Sequence, residues 1–207
     1  MSKNQGQESK KGSFRRYEVG DKMPKAEQTK LLLAQTLKKL MKKTPLDKIS
    51  VQDLVDACEL NRKTFYYHFK DKQELICWIF DTEFAALHDT NNDNSIIDEL
   101  VEHLYINKDF YIAALTSNTQ NNLQEHLYHV GYKAILFQIK DILGSRQMAI
   151  EDMDMIALFF TNAVIGYLSQ WAKEGMKKSP YEYISDYYHL IQDTLHFIIN
   201  KRVKPSL

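Results

Sequence analysis

Helical periodicity runs through most of the chain, and it restricts the available folds more than any other feature of the sequence. From Lys25 onward, apolar residues return every three or four positions, as they do on one face of an α-helix. Only 7 Gly and 4 Pro interrupt the 207 residues. No stretch alternates Val or Thr with polar residues, as a half-buried strand would. The sequence therefore predicts an all-α protein.

Capping residues divide the first part of the chain into short helices. The first helix begins near Lys25 and ends before Pro45, because a proline disfavours helical conformation in the residue that precedes it. Ser50 and Asn61 each carry a side-chain oxygen that can accept from the free amides of a second and a third helix. Asp71 similarly opens a fourth helix.

The second and third helices have the spacing of a helix-turn-helix. They are separated by about three residues, and the third helix carries Arg, Lys, Thr, Tyr and His on an exposed side. Side chains near the start of such a reading helix reach base edges in the major groove, so Arg62 and Lys63 are the candidates for sequence readout. These observations predict a DNA-binding domain of three helices.

The stretch "ISVQDLVDACELNRKTFYYHFKDKQELI" resembles the DNA-binding segment of the TetR family of regulators. The family's hallmark is a run of the form T-[FL]-Y-x-[HYF]-F-x-[DSN]-K-x-[ED]-L, and residues 64–75 match it throughout. The resemblance implies a cytoplasmic transcription regulator that binds double-stranded operator DNA.

Carried over by position, the resemblance implies phosphate or base contacts for Thr64, Tyr66 and His68, and a phosphate contact for Lys72. Hydroxyl, imidazole and ammonium groups all donate to phosphate oxygens. The alternative is that these side chains form only a solvated face, while Phe65 belongs to the core. The expected DNA-binding residues are Ser50, Gln52, Arg62, Lys63, Thr64, Tyr66, Tyr67, His68 and Lys72.

The remaining sequence predicts five helices joined by short connections, which make a bundle. Their expected bounds are residues 96–107, 108–117, 123–143, 150–174 and 180–201. We therefore expect a flexible tail over residues 1–23, a helix-turn-helix domain over 24–85 and a helical dimerisation and ligand-sensing domain over 86–207.

The stretch "WAKEGMKKSPYEYISDYYHLI" resembles the C-terminal turn of one TetR subclass, which includes DhaS-like regulators. The resemblance implies that the last two helices form a homodimer interface, and the first of them is apolar over most of its circumference. A central helix buried within a monomer is the alternative. The expected interface residues are Ile165, Leu168, Ile191, Leu195 and Ile198.

These features favour a ligand-responsive repressor that binds a palindromic operator as a homodimer. An activator or coactivator of the DhaS type, working with a protein partner, is the alternative. Aromatic and histidine side chains in the C-terminal part suit a pocket for a small-molecule effector, although ordinary core packing explains them equally well. The candidate pocket residues are His103, Phe110, Tyr111, His129, Tyr132 and Trp171.

Other kinds of site are not indicated. His126 and His129 lie three positions apart and could begin a metal site, but no Cys or acidic cluster completes it, so we expect a surface pair and no metal. We find no nucleophile elbow, phosphate loop or zinc-protease motif, which argues against an enzyme and against a cofactor.

Charge is distributed unevenly along the chain. The first 80 residues hold 17 Lys and Arg against 10 Asp and Glu, and the rest hold 10 against 17. This polarity suits a chain with one end on a polyanion, although an accidental surface asymmetry remains the alternative. Arg15 and Arg16 could form a basic arm or an inert tail. With Cys58 and Cys77 as the only cysteines and no apolar leader, we expect a cytoplasmic protein without a membrane span.

Overall fold

The computed structural model describes residues 23–87, 96–117, 120 and 122–203. Within those residues the protein is helical and without strands, which confirms the all-α prediction. The expected tail, apart from Met23, and the basic arm at Arg15 and Arg16 lie outside the described residues. The helices are α1 (Lys25–Met41), α2 (Val51–Ala57), α3 (Arg62–His68), α4 (Lys72–Leu87), α5 (Ile96–Ile106), α6 (Lys108–Leu115), α7 (Leu123–Leu143), α8 (Ile150–Lys173) and α9 (Pro180–Arg202), and a 3₁₀ turn (Leu46–Lys48) precedes α2.

Local capping sets the short helices of the N-terminal part. Ser50 and Asp53 form a reciprocal capping box at the start of α2, and Asn61 caps α3 through the amide of Thr64. Beneath them, α1, α2 and α3 each bury an apolar side chain in a common core, at Leu37, Leu54 and Phe65. The predicted caps are confirmed at both positions.

The turn between α2 and α3 depends on a left-handed residue. Glu59 has φ of 55°, and the amide of Leu60 then donates to the carbonyl of Val55 at 2.8 Å. A left-handed conformation is unfavourable for residues with a Cβ. The turn directs the chain sharply into α3, which is the arrangement expected of a helix-turn-helix.

Helix α4 belongs to both parts of the chain. It runs through the expected domain boundary at residues 85 and 86, and its buried Leu75, Ile76 and Phe80 lie in the core cluster that also contains α1 side chains and Trp171 of α8. A second cluster joins α7, α8 and α9. The predicted five helices after α4 are confirmed to within two residues.

The connection between α8 and α9 explains the motif noted in the sequence. Gly175 and Met176 both have positive φ, of 77° and 48°, and the indole of Trp171 donates to the carbonyl of Lys178 at 3.2 Å. Ser179 then opens α9 with a second capping box. The tryptophan, the glycine and the capping residue therefore build one turn.

Helix α8 bears on the expectation that the chain has no membrane span. Among the described helices it alone is long and apolar enough to cross a membrane by length and composition, with a mean hydropathy of 1.3 over 18 residues. Half of that 18-residue segment is buried inside the protein. Core helices of soluble proteins have the same composition, so the observation is weak support for a membrane span.

Candidate nucleic-acid interface

The outer face of α3 is cationic and aromatic. Arg62, Lys63, Tyr66 and Tyr67 are exposed, and Tyr67 retains 82% of its accessible surface. Phe65 points to the opposite side and is fully buried. The heptapeptide RKTFYYH contains no acidic residue. The face therefore offers hydrogen-bond donors and aromatic surface without a charge that repels phosphate.

Two of these side chains are held against each other before any ligand binds. The Arg62 guanidinium donates to the Tyr66 hydroxyl at 3.2 Å and lies 5.8 Å from the centre of its ring. The two residues are one helical turn apart. The contact favours one orientation of the guanidinium on the exposed face.

Three other expected contact residues already have intramolecular partners. The Ser50 hydroxyl donates to an Asp53 carboxylate oxygen at 2.6 Å, and the Thr64 hydroxyl donates to the Asn61 side-chain oxygen at 3.1 Å. The Gln52 amide donates to Asp56 at 2.7 Å. Each of these side chains would exchange or share its present bond to donate to DNA, so their capping and intrahelical roles are the ones visible in the structure.

His68 lies at the end of α3 and is half-buried. Burial lowers the pKa of its imidazole, the charge of Lys30 lowers it further, and Glu27 opposes them. Neutral imidazole is therefore the main form at pH 7. A neutral ring can donate one hydrogen bond but does not supply a full positive charge.

Lys72 occupies the first position of α4 and has two partners in the segment between α1 and α2. Its ammonium donates to the carbonyls of Leu46 and Ile49, the latter at 2.6 Å. Desolvation lowers the pKa of the ammonium, while Asp47 and Asp53 raise it. An ammonium group has three N–H donors, so one remains for an external acceptor such as a phosphate.

The candidate pocket residues make several separate contacts in the described part of the chain. His103 and Tyr111 bind Glu83, and Phe110 is buried beside Tyr111. Trp171 is buried and stacks on the rings of two tyrosines. Tyr132 donates to Asp154. His129 alone of the six lines the open groove of about 530 Å³ between α7 and α8, together with Tyr128, Asn162 and Gly166.

The candidate dimer residues lie within the core of the single chain. Ile165, Leu168, Ile191 and Leu195 retain at most 8% of their surface and pack inside the single chain. Ile165 and Leu168 belong to the core cluster that contains Trp171, whereas Ile198 is partly buried against the cluster that contains Ile191 and Leu195. Among the described residues, the large apolar side chains that α8 and α9 leave exposed include Met155, Leu158, Phe159, Leu190 and Phe197.

The two histidines considered for a metal have other neighbours. His126 lies 2.7 Å from a carboxylate oxygen of Asp81, and His129 lines the groove described above. Within the described part of the chain, no group of three His, Cys, Asp or Glu is placed to hold a metal ion.

Comparison with known proteins supplies the family. The model of bacterial regulatory proteins of the tetR family matches residues 34–76, and a model described as a transcriptional regulator C-terminal region matches residues 91–193. The chain is 37% identical over 71 residues to the HTH-type dhaKLM operon transcriptional activator DhaS of Lactococcus lactis subsp. lactis (strain IL1403), a match that spans 34% of this chain and 38% of that protein.

A solved structure with a TM-score above 0.5 shares the fold. The dihydroxyacetone kinase operon activator DhaS superposes with a TM-score of 0.54 at 21% identity, over 85% of this chain and 98% of that one. A TetR transcriptional regulator from Streptococcus agalactiae 2603V gives a TM-score of 0.48 at 19% identity, over 86% and 96%. The helix-turn-helix, the helical C-terminal part and the two family matches together place the chain in the TetR family of transcriptional regulators.

Proposed function

We propose that this protein is a homodimeric, ligand-responsive repressor that reads a palindromic operator with α3. The observation that carries the proposal is the exposed face of α3, on which Arg62, Lys63, Tyr66 and Tyr67 project away from a buried Phe65. Guanidinium and ammonium groups at the start of such a helix suit guanine edges and phosphates. The protein acts by binding in the cytoplasm, and we assign it no catalytic step.

Apolar surface on the last two helices supports the dimer. Met155, Phe159, Leu190 and Phe197 retain between 46% and 65% of their surface. Clustered apolar side chains of this size mark interfaces more often than free surface. A two-fold dimer is the commonest assembly of soluble proteins, and it matches the symmetry of a palindromic operator.

The ion pair between α8 and α9 supports the choice of Phe159 and Phe197, because it puts both residues at similar heights along two neighbouring helices. Arg202 lies 2.5 Å from Asp152, so the last turn of α9 meets the first turn of α8. Phe197 and Phe159 are each one to two turns inward from that ion pair. They would therefore form adjacent parts of one surface, which a second subunit would cover.

The groove between α7 and α8 supports the ligand response. Its walls carry the Tyr128 hydroxyl, the His129 imidazole and the Asn162 amide, with Gly166 leaving open space. Such a lining suits a small polar molecule that accepts and donates hydrogen bonds. Occupancy of the groove would alter the packing of α7 on α8 and lower the affinity for operator DNA.

Activation of transcription is the second candidate function, and the name of a relative supports it. The curated relative that matches 71 residues of this chain is named a transcriptional activator. Both candidates require the same DNA-reading face. They differ in whether the bound protein blocks RNA polymerase or recruits it.

Selection of duplexes from a random library, followed by footprinting, tests DNA binding directly. We expect a palindrome whose two half-sites are centred about 34 to 36 Å apart or at a multiple of that distance. Failure to enrich any sequence would refute the proposal. Transcription in vitro from a template that carries the selected site then separates the candidates, because a repressor lowers the transcript level and an activator raises it.

A further inference from the structure

The carboxylate of Glu83 on α4 accepts hydrogen bonds from three other helices. The Lys38 ammonium of α1 donates to one oxygen. The other oxygen accepts from the Tyr111 hydroxyl of α6 at 2.8 Å and lies 3.0 Å from Nε2 of His103 on α5. Glu83 therefore joins the two parts of the chain, since α1 belongs to the DNA-reading part and α5 and α6 to the C-terminal part.

Hydrogen-bond chemistry fixes the roles within this Glu83 cluster. A carboxylate only accepts, so Nε2 of His103 carries the proton, and Tyr111 donates its hydroxyl proton to Glu83. His103 also lies 2.9 Å from the Tyr111 oxygen, which can accept from the same Nε2–H.

The surroundings make the cluster rigid and keep its charge. Tyr111 is fully buried, and Lys38 lies 4.9 Å from the centre of the Phe110 ring. Burial raises the pKa of Glu83, but hydrogen bonds from His103 and Lys38 and the Lys38 charge outweigh it and lower the pKa to about 2. The carboxylate is therefore ionised at any pH where the protein would work.

We infer that Glu83 is a positioning residue, which holds α1 against α5 and α6 and so sets the orientation of the reading helix α3 relative to the C-terminal part. Helix α3 packs with α1 and α2 around one core, so a displacement of α1 moves α3 with it. The consequence for operator affinity rests on the function proposed above. A dimer binds two half-sites at a set spacing only if both reading helices are held at a set orientation.

A Glu83→Gln variant removes the negative charge from the Glu83 cluster and replaces one acceptor oxygen with a donor. The amide keeps one acceptor oxygen and gains an NH₂ donor, which must face either Lys38 or the pair of His103 and Tyr111. Tyr111 and His103 can reverse their donor and acceptor roles, but the Lys38 ammonium only donates. In either orientation Lys38 loses its charged partner, so the variant weakens the attachment of α1 most. Glu27→Gln is a matched control, because the Glu27 partner, Lys30, lies on the same helix.

The direct test measures the distance between the two parts of one chain. Spin labels at Ala57→Cys on α2 and Lys133→Cys on α7, both exposed positions, are introduced after Cys58 and Cys77 are replaced by Ala. Labelled chains are diluted with unlabelled ones, so only distances within a chain are measured. We expect a narrow distribution for the parent and for Glu27→Gln, and a shifted or broadened one for Glu83→Gln with unchanged helicity.

Binding measurements on unlabelled protein provide the second readout. We expect Glu83→Gln to weaken binding to the full selected operator about tenfold, as typical coupling energies imply, and to leave binding to a single half-site unchanged. A distance distribution identical to the parent's would overturn the inference. If Glu83→Gln does not fold, Tyr111→Phe removes a single donor and takes its place. If the wild-type chain binds no duplex, the proposed function fails, while the distance measurement still decides the role of Glu83.

Discussion

The ammonium of Lys72, at the start of α4, lies 2.6 Å from the carbonyl oxygen of Ile49, the last residue but one before α2. Lys72 also donates to the carbonyl of Leu46. It therefore joins α4 to the segment that immediately precedes α2. The family resemblance assigns this residue a phosphate contact. The geometry gives it an intramolecular role as well.

Replacing Lys72 with Met should therefore lower the free energy of unfolding by about 1 to 3 kcal/mol, because two buried carbonyls lose a charged donor. Urea unfolding measures the change. Lys70→Met, at an exposed position two residues earlier, should leave stability unchanged. Two results together would contradict this role: Lys72→Met is as stable as wild type, and the slope of its DNA affinity against salt falls by about one unit. Lys72 would then be a phosphate ligand only.

Lys63→Ala should weaken operator binding by about 1 to 3 kcal/mol without changing the melting temperature, since Lys63 is exposed and near the start of α3. Fluorescence anisotropy with the selected duplex measures the affinity. Lys133→Ala removes an exposed lysine from α7 and serves as the control. Equal losses for both variants would show a general charge effect rather than contact by α3.

Glu59→Gly should raise the free energy of unfolding by about 0.5 to 1 kcal/mol, because glycine adopts the φ of 55° found here without a clash at Cβ. Glu59→Ala retains the Cβ and should show no such gain. Chemical denaturation measures the free energy of unfolding of the three proteins. A glycine variant less stable than wild type would mean that Glu59 makes a favourable contact that outweighs its strain.

Phe159→Asp and Phe197→Asp should each give soluble, folded monomers with weakened operator binding, since both rings are more than half exposed in the single chain. Sedimentation measures the assembly. Ile106→Asp, at a residue that is 71% exposed on α5, is the matched control and should remain dimeric. If both phenylalanine variants remain dimeric, the interface lies elsewhere. Leu195→Asp cannot serve as this test, because Leu195 is fully buried and its loss disrupts the core.

Glu83 should make folding stability depend on pH in the acid range. Its pKa falls from an ordinary 4.5 to about 2 in the folded protein, so the stabilisation is present above pH 4.5 and is lost as the pH falls towards 2. We expect a contribution on the order of 2 kcal/mol after allowance for partial exposure. Urea unfolding of wild type and Glu83→Gln between pH 7 and 3 measures it, and identical pH dependence in the two proteins would contradict the assignment.

Much of the fold is determined by short-range relationships that the sequence displays directly. Ser50 caps through Asp53, three residues on, and Asn61 caps through Thr64, so the starts of α2 and α3 depend on neighbouring residues alone. The exposed face of α3 follows from helical period in the same way, because Phe65 must turn inward if Lys63 and Tyr66 turn outward.

The tertiary structure decided relationships between distant residues. Glu83 meets Lys38 across 45 positions, and nothing in the local pattern of either helix marks the pair. Periodicity also shows that α8 is apolar around most of its circumference, but not which side meets its own chain. Packing within its own chain buries Ile165 and leaves Phe159 exposed. The physical reason is that capping and helical period act within a few residues, whereas burial and ion pairing depend on how whole helices pack.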